Sequence, residues 1–332
     1  MKHSKIIGLG HHVPETVITN EYLSTLMDTN NEWIVERTGI QERRWIDPSK
    51  DTVANMAAKA TRMALKQANL TEKDIDFIVF ATITPDYFFP GSGVLLQREL
   101  GLESIAALDI RNACSGFIYA LSVADQFIKT GMYKTILVVG AEIQSTALDV
   151  STKGRNTAVI FGDGAGAVIL QPSSKQGILS THLHSDGRFA EELYVKDPGS
   201  SRPREERQPE QILDTTDFKV VMNGQTVFKH AVVRFMEVIK EALDANKLSK
   251  EEINLLIPHQ ANLRISQFIQ QKLGLPDEKV YNNIMRYGNT TAGSIPIALS
   301  EAYQEGKIKE NDLICLAAFG SGFTWASALI RW

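Results

Sequence analysis

Only two cysteines occur in the 332 residues. A disulfide framework is therefore excluded as an organising principle, and so is a cysteine-based metal site. Seven histidines offer no H-E-x-x-H. His11 with His12 and His182 with His184 are close pairs, but no acidic ligand set accompanies them, and a tetrahedral site needs four spaced ligands. Cationic excess is also lacking: 35 Lys and Arg face 39 Asp and Glu, for a net charge of −4. That balance gives no general footprint for nucleic acid. No apolar run approaches the roughly 20 residues that span a bilayer. The start, MKHSKIIGLG, is too short in apolar residues for a signal peptide before Pro14 interrupts it. The expectation is a cytoplasmic protein with neither nucleic acid nor membrane as partner, and with no metal. Nucleotide fingerprints are missing as well. Gly8 and Gly10 precede HHVPE and no third glycine, and GDGAG at 162–166 opens no helix; separately, Ser115 lies in no G-x-S-x-G, so a serine-hydrolase elbow is unsupported.

What is present is an alternation of strands and helices. Residues 52–69 carry apolar side chains at helical spacing, followed by a polar turn and the strand IDFIVFATI. Residues 115–130 read as a helix, followed by the strand TILVVGAE, and residues 158–170 read as two strand-like pieces around a glycine turn. Continuous apolar strands between helices predict an α/β fold with strands buried on both faces.

The second half repeats this grammar. ALKQANLTEKDIDFIVFA at 64–81 and ALDANKLSKEEINLLIPH at 242–259 stand 178 residues apart. Each is a helix end, a Leu, a Ser/Thr N-cap with acids after it, then an Ile-led apolar strand. Element order continues to match, which points to an internal duplication with halves at 1–173 and 174–332. The segment 196–217, rich in Pro, Arg and Glu, interrupts the pattern. It reads as a solvated surface loop, or as a lid over a substrate tunnel.

Three residues at strand-to-helix turns carry candidate chemistry. Cys114 follows the strand AALDI and stands where a helix begins. A helix N-terminus there lowers a thiol pKa, and the thiolate is the nucleophile; the bland alternative is a buried inert thiol. Cys315, inside DLICLAAF, reads as core. His259 follows the strand NLLIP and precedes a helix, at the sheet edge where α/β proteins bind ligands. Asn289, in NIMRYGNTTAGSIPIALSEA, stands between a strand-like piece and a helix. A capping or core histidine and an ordinary turn asparagine are the alternatives. Near the C-terminus Gly320 and Gly322 bracket Ser321 between two apolar strands, where backbone N–H groups can face an oxyanion, or form a plain hairpin turn.

Six blocks, DTNNEWIVERTGIQERR, NACSGFIYALSVADQF, RNTAVIFGDGAGAVIL, PHQANLRI, YGNTTA and FGSGFTW, together resemble the β-ketoacyl-acyl-carrier-protein synthase III family of the thiolase superfamily, from about residue 5 onward. The resemblance implies a five-layered αβαβα fold of two duplicated halves, usually homodimeric. It implies a decarboxylative Claisen condensation: acyl-CoA acylates Cys114, and malonyl-acyl carrier protein then loses CO2 and attacks the acyl-cysteine. His259 and Asn289 would stabilise the enolate, and the backbone N–H groups of Cys114 and Ser321 would form the acyl oxyanion hole. No resident cofactor is implied, coenzyme A being part of the substrate. By position, Trp33 and Arg155 match the pair around the CoA adenine. Arg37 and Arg264 match cations near CoA phosphates or the carrier, and Lys229 a carrier contact. Gly224 and Asn262 match pantetheine contacts, and Phe89 the acyl-pocket residue given across the dimer. Departures are Ser321 where glycine is common, Gln271 where a lysine would help docking, and the long 196–217 loop. They leave room for a specialised homologue that takes longer acyl or β-ketoacyl groups in secondary metabolism. A non-catalytic partner subunit is the remaining alternative.

Overall fold

The computed structural model describes residues 3–196, 199 and 220–332. Apart from Lys196 and Gly199, the predicted loop 196–217 therefore lies outside the described residues. In chain order the strands are β1 His3–His12, β2 Thr16–Thr19, β3 Glu42–Trp45, β4 Phe77–Ala81, β5 Ala106–Ile110, β6 Ile136–Glu142, β7 Gly164–Ser173, β8 Ile178–Ser185, β9 Leu193–Tyr194, β10 Val221–Met222, β11 Leu255–Pro258, β12 Leu313–Gly320 and β13 Thr324–Arg331.

Two sheets dominate. The first runs β1–β7–β6–β4–β5 and the second β11–β12–β13–β8. In the first, β7 is antiparallel to β1 and β6, while β4 is parallel to β6 and β5. In the second, β13 is antiparallel to β8 and β12, and β12 is parallel to β11. A single parallel bridge, Leu256 to Val280, stands where the fifth strand would lie. Read from β8, the second sheet thus repeats the first.

Alternating strand residues divide the core into layers. From β6, Ile136 and Val138 point inward with Ile314, Leu316 and Ala318 of β12, against the helices Gly116–Thr130 and Ser294–Gln304. Leu137, Val139 and Ala141 point outward, under the Val53–Ala68 helix. Cys315, Ala317 and Phe319 of β12 face the opposite outer layer, formed by Gly224–Asn246 and Leu263–Leu273. The result is helix, sheet, helix, sheet, helix, the five-layered α/β arrangement. Cys315 is fully buried in it.

The 178-residue offset persists through the structure. Left-handed caps fall at Asn69 and Lys247, and 3-10 turns at Glu72–Asp74 and Lys250–Glu252. A second pair of 3-10 turns falls at Ala113–Ser115 and Thr291–Gly293, each opening on a left-handed non-glycine residue, Ala113 at φ 46° and Thr291 at φ 47°. The central helices begin at Gly116 and Ser294, and β6 and β12 end at Glu142 and Gly320.

Two expectations need correction. Residues 158–170 hold one strand, β7, preceded by the short helix Arg155–Ala158, with Phe161 forming only an isolated bridge. The strand-like piece before Asn289 is a four-residue helix, Ile284–Tyr287. Buried Glu301 holds it in place by accepting from the Asn283 side-chain amide, the Arg286 guanidinium and the Tyr287 hydroxyl. Those hydrogen bonds, made to a residue 14 to 18 positions away, outweigh the strand propensity of the apolar and aromatic residues there.

Candidate active site

Cys114 stands in the 3-10 turn between β5 and the Gly116–Thr130 helix. The turn is stitched to the β12–β13 hairpin. Ser115 Oγ lies 2.7 Å from Thr324 Oγ1, and the Thr324 hydroxyl donates to the Ser321 carbonyl at 3.0 Å. Ser321 Oγ donates in turn to the Leu193 carbonyl. Gly320 is required by close approach: a Cβ there would sit 2.7 Å from Cys114 Cβ and 3.2 Å from Sγ. The backbone N–H groups of Cys114 and Ser321 both act on the sulfur, each favouring its anion.

The thiol nonetheless does not have the lowered pKa that its place before a helix suggests. Burial, and then the charge of Glu142, push it up to about 12. Desolvation, the ground of the buried-thiol alternative, outweighs the helix terminus because it favours the neutral form.

His259 follows β11, and its N–H donates to the Ala317 carbonyl at 2.8 Å, docking it beside β12. Nδ1 lies 2.7 Å from Ser294 Oγ, which also accepts from the Gln260 N–H at 3.4 Å. Nε2 is buried and has no hydrogen-bond partner among the described residues. Burial lowers the imidazole pKa to about 3, so the ring is neutral at ordinary pH. An unpartnered buried ring nitrogen is costly unless a ligand completes it.

Asn289 is fixed by its backbone, which donates to the Ile160 carbonyl at 2.8 Å and accepts from Gly162 N–H at 3.1 Å. Its Oδ1 accepts from the Thr291 N–H at 2.8 Å, which assigns the amide orientation. Nδ2, the donor arm, makes no hydrogen bond among the described residues. Gln144 Nε2 braces the same turn at Thr291 Oγ1, 2.8 Å away.

Cys114, His259, Asn289 and Ser321 line one cavity of about 1080 Å³, together with Gly224 and Asn262. Much of the remaining wall is apolar, including Ile83, Leu95, Ile143, Phe161, Phe235 and Phe319. Gly320 and Gly322 also line it, whereas Trp33, Arg37, Arg155, Lys229, Arg264 and Phe89 stand outside this lining. Trp33 packs under two guanidinium groups, Arg37 at 4.5 Å and Arg155 at 5.1 Å from its ring centroid. Arg155 also donates to the Asp28 carbonyl. Asn262 Nδ2 donates to the Arg37 carbonyl at 2.9 Å, joining this cluster to the helix that carries Arg264. Arg264 and Lys229 are exposed. Phe89 is 81% exposed and does not enter the cavity of its own chain, whereas Tyr87 and Phe88 do line it.

Two residues at the site escaped the sequence reading. Ser294, the partner of His259, looked like one more small residue at a helix start. Glu142 looked like the polar end of a strand. Among the described residues, no group of three or more His, Cys, Asp or Glu side chains is arranged to hold a metal. No described helix is long and apolar enough to cross a membrane.

A cysteine at a central helix start with two backbone N–H groups acting on its sulfur, and a histidine and an asparagine brought to the same cavity, stand in a five-layered fold of the thiolase-fold condensing-enzyme class. Residues 108–187 match the family described as 3-oxoacyl-[acyl-carrier-protein (ACP)] synthase III, and residues 243–332 match its C-terminal part. The chain is 46% identical over 328 residues to the β-ketoacyl-[acyl-carrier-protein] synthase III of Caldanaerobacter subterraneus subsp. tengcongensis, covering 98% of this chain and 97% of that one. The crystal structure of the Aquifex aeolicus synthase III superposes with a TM-score of 0.90 at 43% identity, covering 99% of this chain and 100% of that one. That of Thermus thermophilus gives 0.90 at 39%, covering 99% of each. The chain belongs to the β-ketoacyl-[acyl-carrier-protein] synthase III family.

Proposed function

We propose that this acyltransferase condenses an acyl-CoA with malonyl-acyl carrier protein to give a β-ketoacyl-carrier product, the initiating step of fatty-acid synthesis. The observation that carries the reading is the convergence of Cys114, His259 and Asn289 on one largely apolar cavity, with the buried His259 Nε2 unpartnered among the described residues.

The chemistry follows from the protonation states. The buried thiol is neutral, so acylation must move its proton. The neutral His259 accepts it at Nε2 when Nδ1–H donates to Ser294 Oγ, and passes it to the departing CoA sulfur. In condensation the opposite tautomer is needed, so between the two half-reactions the ring loses its Nδ1 proton and gains one at Nε2 by exchange with solvent. Ser294 O–H then donates to Nδ1, and Nε2–H donates with Asn289 Nδ2 to the enolate oxygen left when CO2 departs. A hydroxyl serves both tautomers because it donates and accepts. Each preorganised donor contributes about 2.7–4 kcal/mol, by the scale of oxyanion-hole deletions. The Cys114 and Ser321 N–H groups receive the acyl oxyanion as the enolate carbon attacks; collapse then breaks the C–S bond, and the released Cys114 thiolate takes a proton from solvent.

Trp33 and Arg155 are proposed to open around the CoA adenine, with Arg37 and Arg264 on phosphate or carrier, Lys229 on the acidic carrier, and Gly224 and Asn262 along the pantetheine arm. Coenzyme A enters as substrate, with no resident cofactor. We assign the halves to 1–173 and 174–332, a cytoplasmic setting, and a homodimer in which Phe89 closes the partner's acyl pocket. The exposed edge of β5, with Leu108 39% exposed near the aromatic run Tyr87–Phe89, supports the dimer.

The test is intact-protein mass spectrometry after mixing with acyl-CoAs of increasing length, followed by product analysis with malonyl-carrier protein. An acyl adduct on Cys114 that is discharged into β-ketoacyl product is expected. An adduct without product points to a different extender. No adduct with any acyl-CoA overturns the reading in favour of a scaffold.

A further inference from the structure

The inner face of β6 presses on the turn that carries the asparagine. At Gly140 an added Cβ would lie 2.2 Å from the Ala292 carbonyl oxygen, so backbone meets backbone there. The next residue on that face is Glu142, fully buried. Its carboxylate accepts from the Ala292 N–H. It also accepts from Thr82 Oγ1 at 3.1 Å, Ile83 N–H at 3.1 Å, Thr84 N–H at 3.1 Å and Thr84 Oγ1 at 2.6 Å. Thr84 Oγ1 accepts in turn from Ile143 N–H at 2.9 Å. Ile83 and Thr84 form one wall of the cavity, and Asn289 and Thr291 form another. One carboxylate ties the two walls together.

The duplication gives this contact a meaning. At the 178-residue offset Ala292 corresponds to Cys114, and Glu142 corresponds to Gly320. In the first copy, Gly320 leaves the space in front of the Cys114 turn open, and the Cys114 N–H faces the site. In the second copy the corresponding N–H is taken by a carboxylate that projects from the position equivalent to Gly320. We propose that Glu142 is a positioning residue: its carboxylate fills the second copy's oxyanion hole and thereby locks the Asn289 turn and the Thr82–Thr84 wall into the geometry that condensation needs. The proposal rests on the condensing roles of Cys114 and Asn289.

The same charge acts on Cys114 and opposes its ionisation. Removing it should therefore separate two readouts that a simple loss of structure would move together. Wild type, Glu142→Gln and Glu142→Asp are compared for condensation kinetics and for alkylation of Cys114 by iodoacetamide at fixed pH. Glutamine keeps the shape but brings an NH2 group towards donors, and so loosens the clamp. Its kcat is expected to fall by roughly tenfold or more, since small misplacements cost that much. The KM for acyl-CoA should move less than about threefold, and Cys114 should alkylate at least as fast as in wild type. Aspartate should recover part of kcat. Condensation by Glu142→Gln within about threefold of wild type, or alkylation and condensation falling in parallel, would overturn the proposal. Should Glu142→Gln not fold, Thr84→Val removes the shortest donor, and an unchanged kcat in that folded variant overturns the proposal equally. Failure of the wild type itself to form an adduct or product would strike the condensing reading instead.

Discussion

At the scale of single residues, the site depends on contacts that composition does not advertise. Gly320 has no Cβ because Cys114 occupies that space. Gly320→Ala should reduce acyl-cysteine formation by about a hundredfold, since a methyl 3.2 Å from Sγ blocks the attack geometry. Its overpacking should cost about 1–3 kcal/mol of stability; adduct kinetics and urea midpoints measure the two effects. Ser294→Ala should lower kcat by roughly tenfold, as the tautomer of His259 loses its partner, with Ser294→Thr recovering part of the loss. Steady-state kinetics at saturating substrate checks this, and equal rates for serine and alanine would remove Ser294 from the mechanism. His259 also gives a pH signature. Its folded pKa is depressed to about 3, so below pH 6.5 the unfolded chain takes a proton that the folded chain refuses. Stability is then lost as pH falls from about 6.5 towards 3, by at most about 1.36 kcal/mol per pH unit. Glu142, raised to about 7, acts in the opposite sense: its folded form holds a proton between about 4.5 and 7 that the unfolded chain gives up. A folded His259→Gln variant should show a shallower loss of urea stability from pH 6 to pH 4 than wild type. An unchanged slope would mean that the histidine is not buried neutral.

At the scale of elements, the turns that carry Cys114, His259 and Asn289 were legible because strand and helix patterns bracket them. The duplication was legible because one cap-and-strand block recurs at a fixed offset. What the sequence concealed were side chains whose roles depend on contacts distant along the chain. Ser294 lies 35 residues from its histidine, and the nearest of the three loop residues clamped by Glu142 lies 58 residues away. The raised Cys114 pKa was hidden for the same reason, since both burial and the Glu142 charge come from elsewhere in the fold. The missed helix Ile284–Tyr287 is a third instance, held by Glu301 rather than by its own propensity. Glu301→Ala would strand the Tyr287 hydroxyl and the Asn283 amide in the interior. The expected cost is about 2–4 kcal/mol, read as a lower urea midpoint. Because that helix leads into Gly288 and Asn289, condensation should weaken along with stability. A stability loss with full activity would show that the Asn289 turn holds itself.

At the scale of the whole molecule, the two sheets are not equally protected at their edges. The second sheet dwindles to the Leu256–Val280 bridge at the edge where the first sheet carries a full strand, β5. Among the described residues β5 pairs only with β4, and Leu108 is 39% exposed on it. Beside it the chain Tyr87–Phe88–Phe89 presents aromatic surface, with the Arg111 guanidinium 5.8 Å from the Phe88 ring centroid. A bare edge next to exposed aromatics is a liability in a monomer, and a second copy of the same edge removes it by a twofold strand pairing. The chain is therefore expected to sediment as a dimer. Leu108→Lys should shift it toward monomer, because two like charges would face each other across the pair. Activity then discriminates further. If Phe89 closes the partner's acyl pocket, the monomeric variant should lose selectivity among acyl-CoA lengths as well as rate. Phe89→Ala, still dimeric, should lose selectivity alone. A dimeric Phe89→Ala with unchanged chain-length preference would place the acyl pocket wholly within one chain, lined by Ile83, Thr84, Leu95 and Ile143.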